Sequence, residues 1–295
     1  MRIATRIMAL FIALACTISS ASRTSAEPKI GVLTLHGVGS HWPGSAFDQE
    51  LRQALRKEAG GKATIVIKSI YYHGDSRRRQ SELWNQFDRM ENDDASSLDH
   101  KLVRRLMLTS LGDALAYGNN PNDESSFYRD VHKQVRNAIG EMEAELGGAC
   151  PVAVVAHSLG CRVIIDYVRD AQTSTGIWQG EKDASEFHKL AGLRLLITTG
   201  CTIPFYESPR PSAEQRFFQP GENFQWINFY DRDDLLGWPL RPLGGDFDAV
   251  QDEERNYVGS SVTSHMRYWR DEELNEEIAR KILTLAKEAI PAAVP

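Results

Sequence analysis

The sequence predicts an α/β fold: a mostly parallel sheet with helices on both faces and a helical insertion ahead of one central strand. Three observations carry this. Short apolar runs rich in β-branched residues alternate with longer stretches of helical periodicity. One run, Pro151-Val152-Ala153-Val154-Val155, leads straight into Ala156-His157-Ser158-Leu159-Gly160 and then into the helix-like segment Cys161–Val168. No internal repeat occurs at a solenoid period.

Taken in order, Lys29–His36 reads as the first strand, and Ala46–Ala59 as a helix stopped by Gly60-Gly61. Ala63–Tyr72 is the second strand. Leu98, Leu102, Leu106, Leu111 and Leu115 then fall at helical spacing, with Trp84 and Phe87 upstream. This stretch, about residues 80–120, reads either as ordinary core packing or as a helical cap that binds an acyl group. Val131, Val135, Ile139, Met142 and Leu146 mark a second helix, expected to pack on the sheet just before the Pro151–Ala156 strand. Leu193–Thr199 and Phe224–Tyr230 supply two further strands. A last helix runs from about Asp271 to Ala289, with acidic residues opening it and Lys281 and Lys287 toward its end, as the helix dipole favours.

The first 26 residues read as an export signal. Arg2 and Arg6 precede an apolar stretch from Ile7 to Ala15, and Thr24-Ser25-Ala26 offers a small-residue cleavage site. The apolar stretch is shorter than the about 20 residues a membrane span needs. Cleavage there leaves residues 27–295 as one domain, periplasmic or secreted. Lipid attachment at Cys16 is the alternative, although the usual leucine three residues upstream is missing. Membrane association is expected only through such a lipid or a retained N-terminal anchor.

The net charge of −6 argues against a dedicated nucleic-acid binder. Cys150, Cys161 and Cys201, an odd number, read as small buried thiols; a Cys161–Cys201 disulfide is open if the geometry permits. His36, His41 and His73 lack metal-ligand spacing, so no metal is expected.

The chemistry centres on Ser158. A strand that turns sharply into a helix, with small residues two positions either side of a serine, is the pattern that exposes a serine nucleophile at the sheet edge. Cys161 falls on the helix after this turn, not at its apex. A serine hydroxyl needs a base, normally imidazole, oriented in turn by a carboxylate. With the order serine, acid, histidine, His265 is the only histidine beyond the last predicted strand. His188 precedes the Leu193–Thr199 strand and His157 is fixed beside the serine. For the acid, Asp234 fits best, a few residues past a strand end and followed by Leu235-Leu236-Gly237-Trp238. Asp231 is the alternative acid, or else a residue that binds backbone amides and fixes the loop. Asp233 is expected to face solvent. Oxyanion donors are expected from the Val38 amide, in the turn Gly37-Val38-Gly39 after the first strand, and from the Leu159 amide. The same Gly-x-Gly lacks the third glycine and the acidic residue of a dinucleotide site, and no organic cofactor is expected.

With Leu35-His36-Gly37-Val38-Gly39, Ala156-His157-Ser158-Leu159-Gly160, Asp231 to Asp234 and His265 in this order, the chain resembles the α/β-hydrolase superfamily, specifically its lipase- and esterase-like members. The resemblance runs from about Lys29 to the final helix. It implies an α/β-hydrolase fold and places the oxyanion amides at Val38 and Leu159. Leu196-Ile197-Thr198-Thr199-Gly200-Cys201-Thr202-Ile203-Pro204 looks like the family's strand ending in Thr-x-Gly-x-x-x-Pro. Asp233-Asp234-Leu235-Leu236-Gly237-Trp238-Pro239-Leu240 resembles a poorly characterised exported branch. Ala156 replaces the commoner first glycine and is small enough for the turn. The resemblance implies a serine hydrolase acting on a small-molecule or lipid carboxylic ester. The alternatives are a thioesterase or amidase with the same machinery, or an inactive binding protein on the same fold.

Overall fold

The computed structural model describes residues 27–37, 48–72, 74–93, 101–118, 122–208, 223–257 and 264–288. Strands β1 (Lys29–Leu35), β2 (Thr64–Ile70), β3 (Val152–His157), β4 (Leu193–Thr199), β5 (Gln225–Asp231) and β6 (Gln251–Arg255) form one sheet. Its spatial order is β2-β1-β3-β4-β5-β6, and every neighbouring pair is parallel. The helices between them are α1 (Gln49–Ala59), α2 (Gly74–Asp93), α3 (Lys101–Tyr117), α4 (Phe127–Leu146), α5 (Leu159–Thr173), α6 (Ile203–Glu207) and α7 (Glu272–Glu288).

Alternate residues of the central strands feed two separate cores. Leu33, Leu35, Val152, Val154 and Leu196 pack with residues of α4 and α5, while Ile30, Val32, Ala153, Val155 and Ile197 pack with those of α1 and α7. A sheet buried on both faces takes mainly apolar residues, which is why these strands read as largely apolar runs. The result is a three-layer α/β fold, a parallel sheet with helices on both faces.

Local signals fix the helix α4 that supports this core. The Ser126 side chain caps its start by accepting the Arg129 amide at 3.3 Å, and Gly147 closes it in the left-handed conformation. Its buried face is Val131, Val135, Ile139, Met142 and Leu146, the predicted stripe.

Strand β6 is not among the predicted strands. Its sequence, Gln-Asp-Glu-Glu-Arg, has no apolar residue and low strand propensity; it pairs on one side only, at the sheet edge. Asp252 gives it a role. Its carboxylate accepts the Asn228 side-chain amide from β5 at 2.7 Å and the backbone amides of Leu240 and Arg241 at 2.9 Å, tying down the loop that follows β5.

Helices α2 and α3 are inserted between β2 and α4. Core packing does not account for the C-terminal half of the leucine stripe, because Leu111 is 53% and Leu115 79% exposed. Leu98 lies outside the described residues, as do residues 1–26 with Cys16. Among the described residues, no helix is long and apolar enough to cross a membrane, and no cluster of three or more His, Cys, Asp or Glu is placed to hold a metal.

The strand order reverses between β1 and β3: the chain leaves β1 for β2 on one side, then crosses back to β3 on the other. In open parallel sheets, ligand crevices form at the carboxyl ends of the strands at such a switch point. Ser158 directly follows the end of β3.

Candidate active site

Ser158 occupies the turn between β3 and α5 with φ 54° and ψ −121°, a conformation that is costly for any residue with a side chain. Its amide donates to the Thr199 carbonyl at 3.0 Å, which fixes the turn against β4. Two residues on, Gly160 explains the need for a minimal side chain. A Cβ there would stand 2.8 Å from the carbonyl oxygens of both Leu35 and His36, so the end of β1 passes directly against the first turn of α5. Gly37 is equally close on the other side, its missing Cβ lying 2.5 Å from the Ser158 Cβ.

Three side chains from separate loops converge here. His265 Nε2 lies 2.9 Å from Ser158 Oγ. His265 Nδ1 lies 2.9 Å from Asp234 Oδ2 and 3.0 Å from Oδ1. All three residues are buried. The Asp234 carboxylate also accepts the Leu236 amide at 2.9 Å and the Tyr268 hydroxyl at 3.1 Å. Burial alone raises its pKa, but the His265 hydrogen bond and charge, with the Leu236 amide, outweigh burial and leave it below the ordinary carboxylate value. Asp234 therefore stays ionised against the imidazole.

Asp231 is differently occupied. One carboxylate oxygen accepts the Asp233 amide at 2.8 Å and the other the Tyr257 amide at 2.7 Å. Both acceptors hold backbone, and the side chain fixes the loop on which Asp234 rides. Asp233 is exposed.

His157 sits behind the site, its Nδ1 3.0 Å from the Thr199 carbonyl and its ring 4.7 Å from that of His265, centroid to centroid. Burial, then the charge of His265, lowers its pKa to about 3, so it is a neutral ring at working pH. Gly200 and Gly237 allow the loops to close over this assembly. A Cβ on Gly200 would meet His157 Cε1 at 2.9 Å and His265 Nδ1 at 3.0 Å, and one on Gly237 would strike the Asp234 carboxylate. Nothing in the sequence pattern assigns a role to Tyr268, to the missing side chain of Gly237 or to the packing of His157. Tyr268 is one helical turn beyond His265, the only signal for it.

The Leu159 amide opens α5 and belongs to the first turn, where helix amides have no intrahelical acceptor. Val38 lies outside the described residues. Cys161 and Cys201 are free thiols, both fully buried. Burial and the contact with Cys201 push the Cys161 thiol well above its ordinary pKa, which leaves it protonated and inert.

A cavity of about 270 Å³ opens from Ser158 and Leu159 between α3 and α6. Leu111, Ala114 and Leu115 form one wall, Phe205 and Tyr206 the other. A second apolar cleft, of about 580 Å³, lies on the far side of Leu111 and Leu115, against Trp84, Phe87 and Met107 of α2 and α3.

The sequence matches no family model and no curated protein. Among solved structures, it is similar to an iodinated complex of acetyl xylan esterase, with a TM-score of 0.39 and 12% identity over 89% of this chain and 99% of that one.

Proposed function

We propose that this chain is a serine hydrolase of the lipase and esterase type, acting on carboxylic esters. The observation that carries the proposal is the unbroken relay from Ser158 Oγ to His265 Nε2, at 2.9 Å, and from His265 Nδ1 to an ionised Asp234, at 2.9 Å. In this reading Ser158 Oγ attacks the ester carbonyl carbon while His265 Nε2 takes the hydroxyl proton. Asp234 holds the tautomer and stabilises the imidazolium. The oxyanion is received by the Leu159 amide, with Val38 proposed as the second donor. The tetrahedral adduct collapses as His265 protonates the leaving alkoxide, giving an acyl-enzyme and an alcohol. Water, deprotonated by His265, then releases the acid and regenerates Ser158. The buried, strained serine turn also supports the reading, since strain of this kind persists where the surrounding structure imposes it and clusters at functional sites.

The apolar walls of the cavity favour an acyl group over a polar one as the part bound beside Ser158. The helices α2 and α3 are accordingly proposed as a cap that contributes one wall.

The test is covalent labelling with a fluorophosphonate. Wild-type protein is expected to label stoichiometrically and Ser158→Ala not at all, with simple esters turned over only by the wild type. Absence of labelling in folded wild-type protein would favour the inactive binding protein.

A further inference from the structure

Behind the cavity, and outside the groups used by the proposed reaction, lies a buried network of charges. Arg162, one turn into α5 from Ser158, sits 2.5 Å from Asp166 Oδ2 through Nε and 2.9 Å from Glu207 Oε1 through Nη1. Arg169 closes the group at 3.5 Å from Asp166 and 3.6 Å from Glu207. The side chains of Arg162, Asp166 and Glu207 are no more than 4% exposed. Asp166 also accepts from the Tyr117 hydroxyl at 3.4 Å, and that hydroxyl lies 2.9 Å from His132 Nε2 on α4.

Ions are costly to bury, and apolar side chains of similar volume hold helices together at least as well. The placement of the partners gives this network a more specific role. Glu207 ends α6, a helix of five residues, too short to hold its shape without tertiary support. It carries an acidic group at the end where the helix dipole disfavours one, and Arg162, at 2.9 Å, is a buried cation that compensates it there. The residue before it, Tyr206, lines the cavity on one side and receives the Arg162 guanidinium over its ring, 5.1 Å from the centroid. On the opposite wall, Tyr117 lies two residues beyond Leu115. Both walls of the cavity are thus referred to α5, the helix that begins directly after Ser158.

We propose that Arg162 is a positioning residue that sets the acyl selectivity of the Ser158 site, by fixing through Glu207 and Tyr206 the α6 wall against which the acyl group lies. This rests on the reading of Ser158 as the nucleophile. Removing the anchor leaves the Ser158–His265–Asp234 relay in place and loosens the wall, so binding of long acyl groups suffers more than chemistry on short ones.

The experiment compares wild type, Glu207→Ala, Glu207→Gln and Arg162→Lys on acetyl, butyryl and decanoyl p-nitrophenyl esters, with thermal melting and fluorophosphonate labelling as controls. Glu207→Ala is expected to raise KM for the decanoyl ester about ten-fold or more, while kcat on the acetyl ester and the labelling rate change less than about three-fold. Glu207→Gln keeps an acceptor for Arg162 Nη1 and is expected to restore most of the decanoyl KM. Arg162→Lys, which keeps the charge but loses the planar fork and the stacking on Tyr206, is expected to behave like Glu207→Ala and serves in its place should that variant not fold. An even decline across chain lengths, or an unchanged profile in folded variants, overturns the proposal. If wild-type protein hydrolyses no ester, the nucleophile reading fails separately. The positioning role is then read from binding of a fluorescent long-chain fatty acid. A roughly ten-fold loss in Glu207→Ala with recovery in Glu207→Gln supports it; equal affinities, or no binding by any form, overturn it.

Discussion

The ring of His157 packs against the ring of His265, 4.7 Å between centroids and inclined by 37°, and the two imidazoles carry different hydrogen-bond duties. Both nitrogens of His265 are engaged, with Ser158 and Asp234; His157 Nδ1 is turned the other way, onto Thr199. One ring bridges a hydroxyl and a carboxylate, and the other is held neutral by burial and packs behind it.

That neutrality makes stability acid-sensitive. The His157 pKa falls from 6.5 to about 3 on folding, so below 6.5 the unfolded chain binds a proton that the native state does not. Stability from this group is therefore complete above pH 6.5 and is lost as the pH falls toward 3, by a few kcal/mol in all. Urea unfolding at pH 7.5, 5.5 and 4.5 is expected to show this slope in the wild type and a flatter one in His157→Asn. Parallel slopes would remove His157 as its source.

The two candidate acids are separable by a paired substitution. Asp234→Asn removes the charge that stabilises the imidazolium and disturbs the His265 tautomer, and is expected to lower kcat roughly a thousand-fold or more with little change in melting temperature. Asp231→Asn instead loses an acceptor for a loop amide, and is expected to destabilise by about 1–3 kcal/mol while leaving most of kcat. Steady-state kinetics and thermal melts on both proteins decide it. Mild, equal kinetic losses would mean that neither carboxylate orients the base.

These two aspartates also show how far the sequence is legible. Strands β1, β3, β4 and β5 are readable because parallel strands buried on both faces are mainly apolar. The turn at Ser158 is readable because its steric demands, small residues on either side, are local. Asp231 ends β5 and Asp234 lies three residues beyond it; the apolar run after Asp234 favours it as the acid, but leaves Asp231 as an alternative. What distinguishes them is distant in sequence: Asp231 accepts from Tyr257, 26 positions beyond it, and Asp234 meets His265 and Tyr268, more than 30 beyond it. Strand β6 is hidden because an edge strand needs no apolar face, and α6 because five residues carry no period. Arg162, Asp166 and Arg169 look in sequence like the polar face of a solvated helix, yet Arg162 and Asp166 are buried against Glu207, Tyr206 and Tyr117.

Gly160 offers a test of how tightly the turn is built. Since a Cβ would come within 2.8 Å of two backbone carbonyl oxygens, β1 and α5 must separate to admit even a methyl group. Gly160→Ala is expected to destabilise the fold by about 1–3 kcal/mol, the usual range for overpacking. Because the displaced backbone leads to Gly37, which lies against the Ser158 side chain, fluorophosphonate labelling should slow as well. A variant with wild-type melting and labelling would show that the strand and helix have slack the structure denies them.

The cavity beside Ser158 gives the last prediction. Ala114 lies in its α3 wall between Leu111 and Leu115, where a larger side chain has open space to enter and little core to disturb. Ala114→Phe is expected to fill part of the 270 Å³ and so to exclude long acyl groups while leaving the serine turn untouched. Each methylene lost from an apolar pocket is worth about ten-fold or more in discrimination, so kcat/KM for a decanoyl ester should fall by at least that factor relative to an acetyl ester. Leu115→Ala acts in the opposite sense, lowering the ridge between the two apolar clefts and shifting preference toward bulkier acyl groups. If the cavity is the acyl site, the two variants move the chain-length profile in opposite directions. If it is not, both profiles overlie that of the wild type, and the acyl group must lie elsewhere around Ser158.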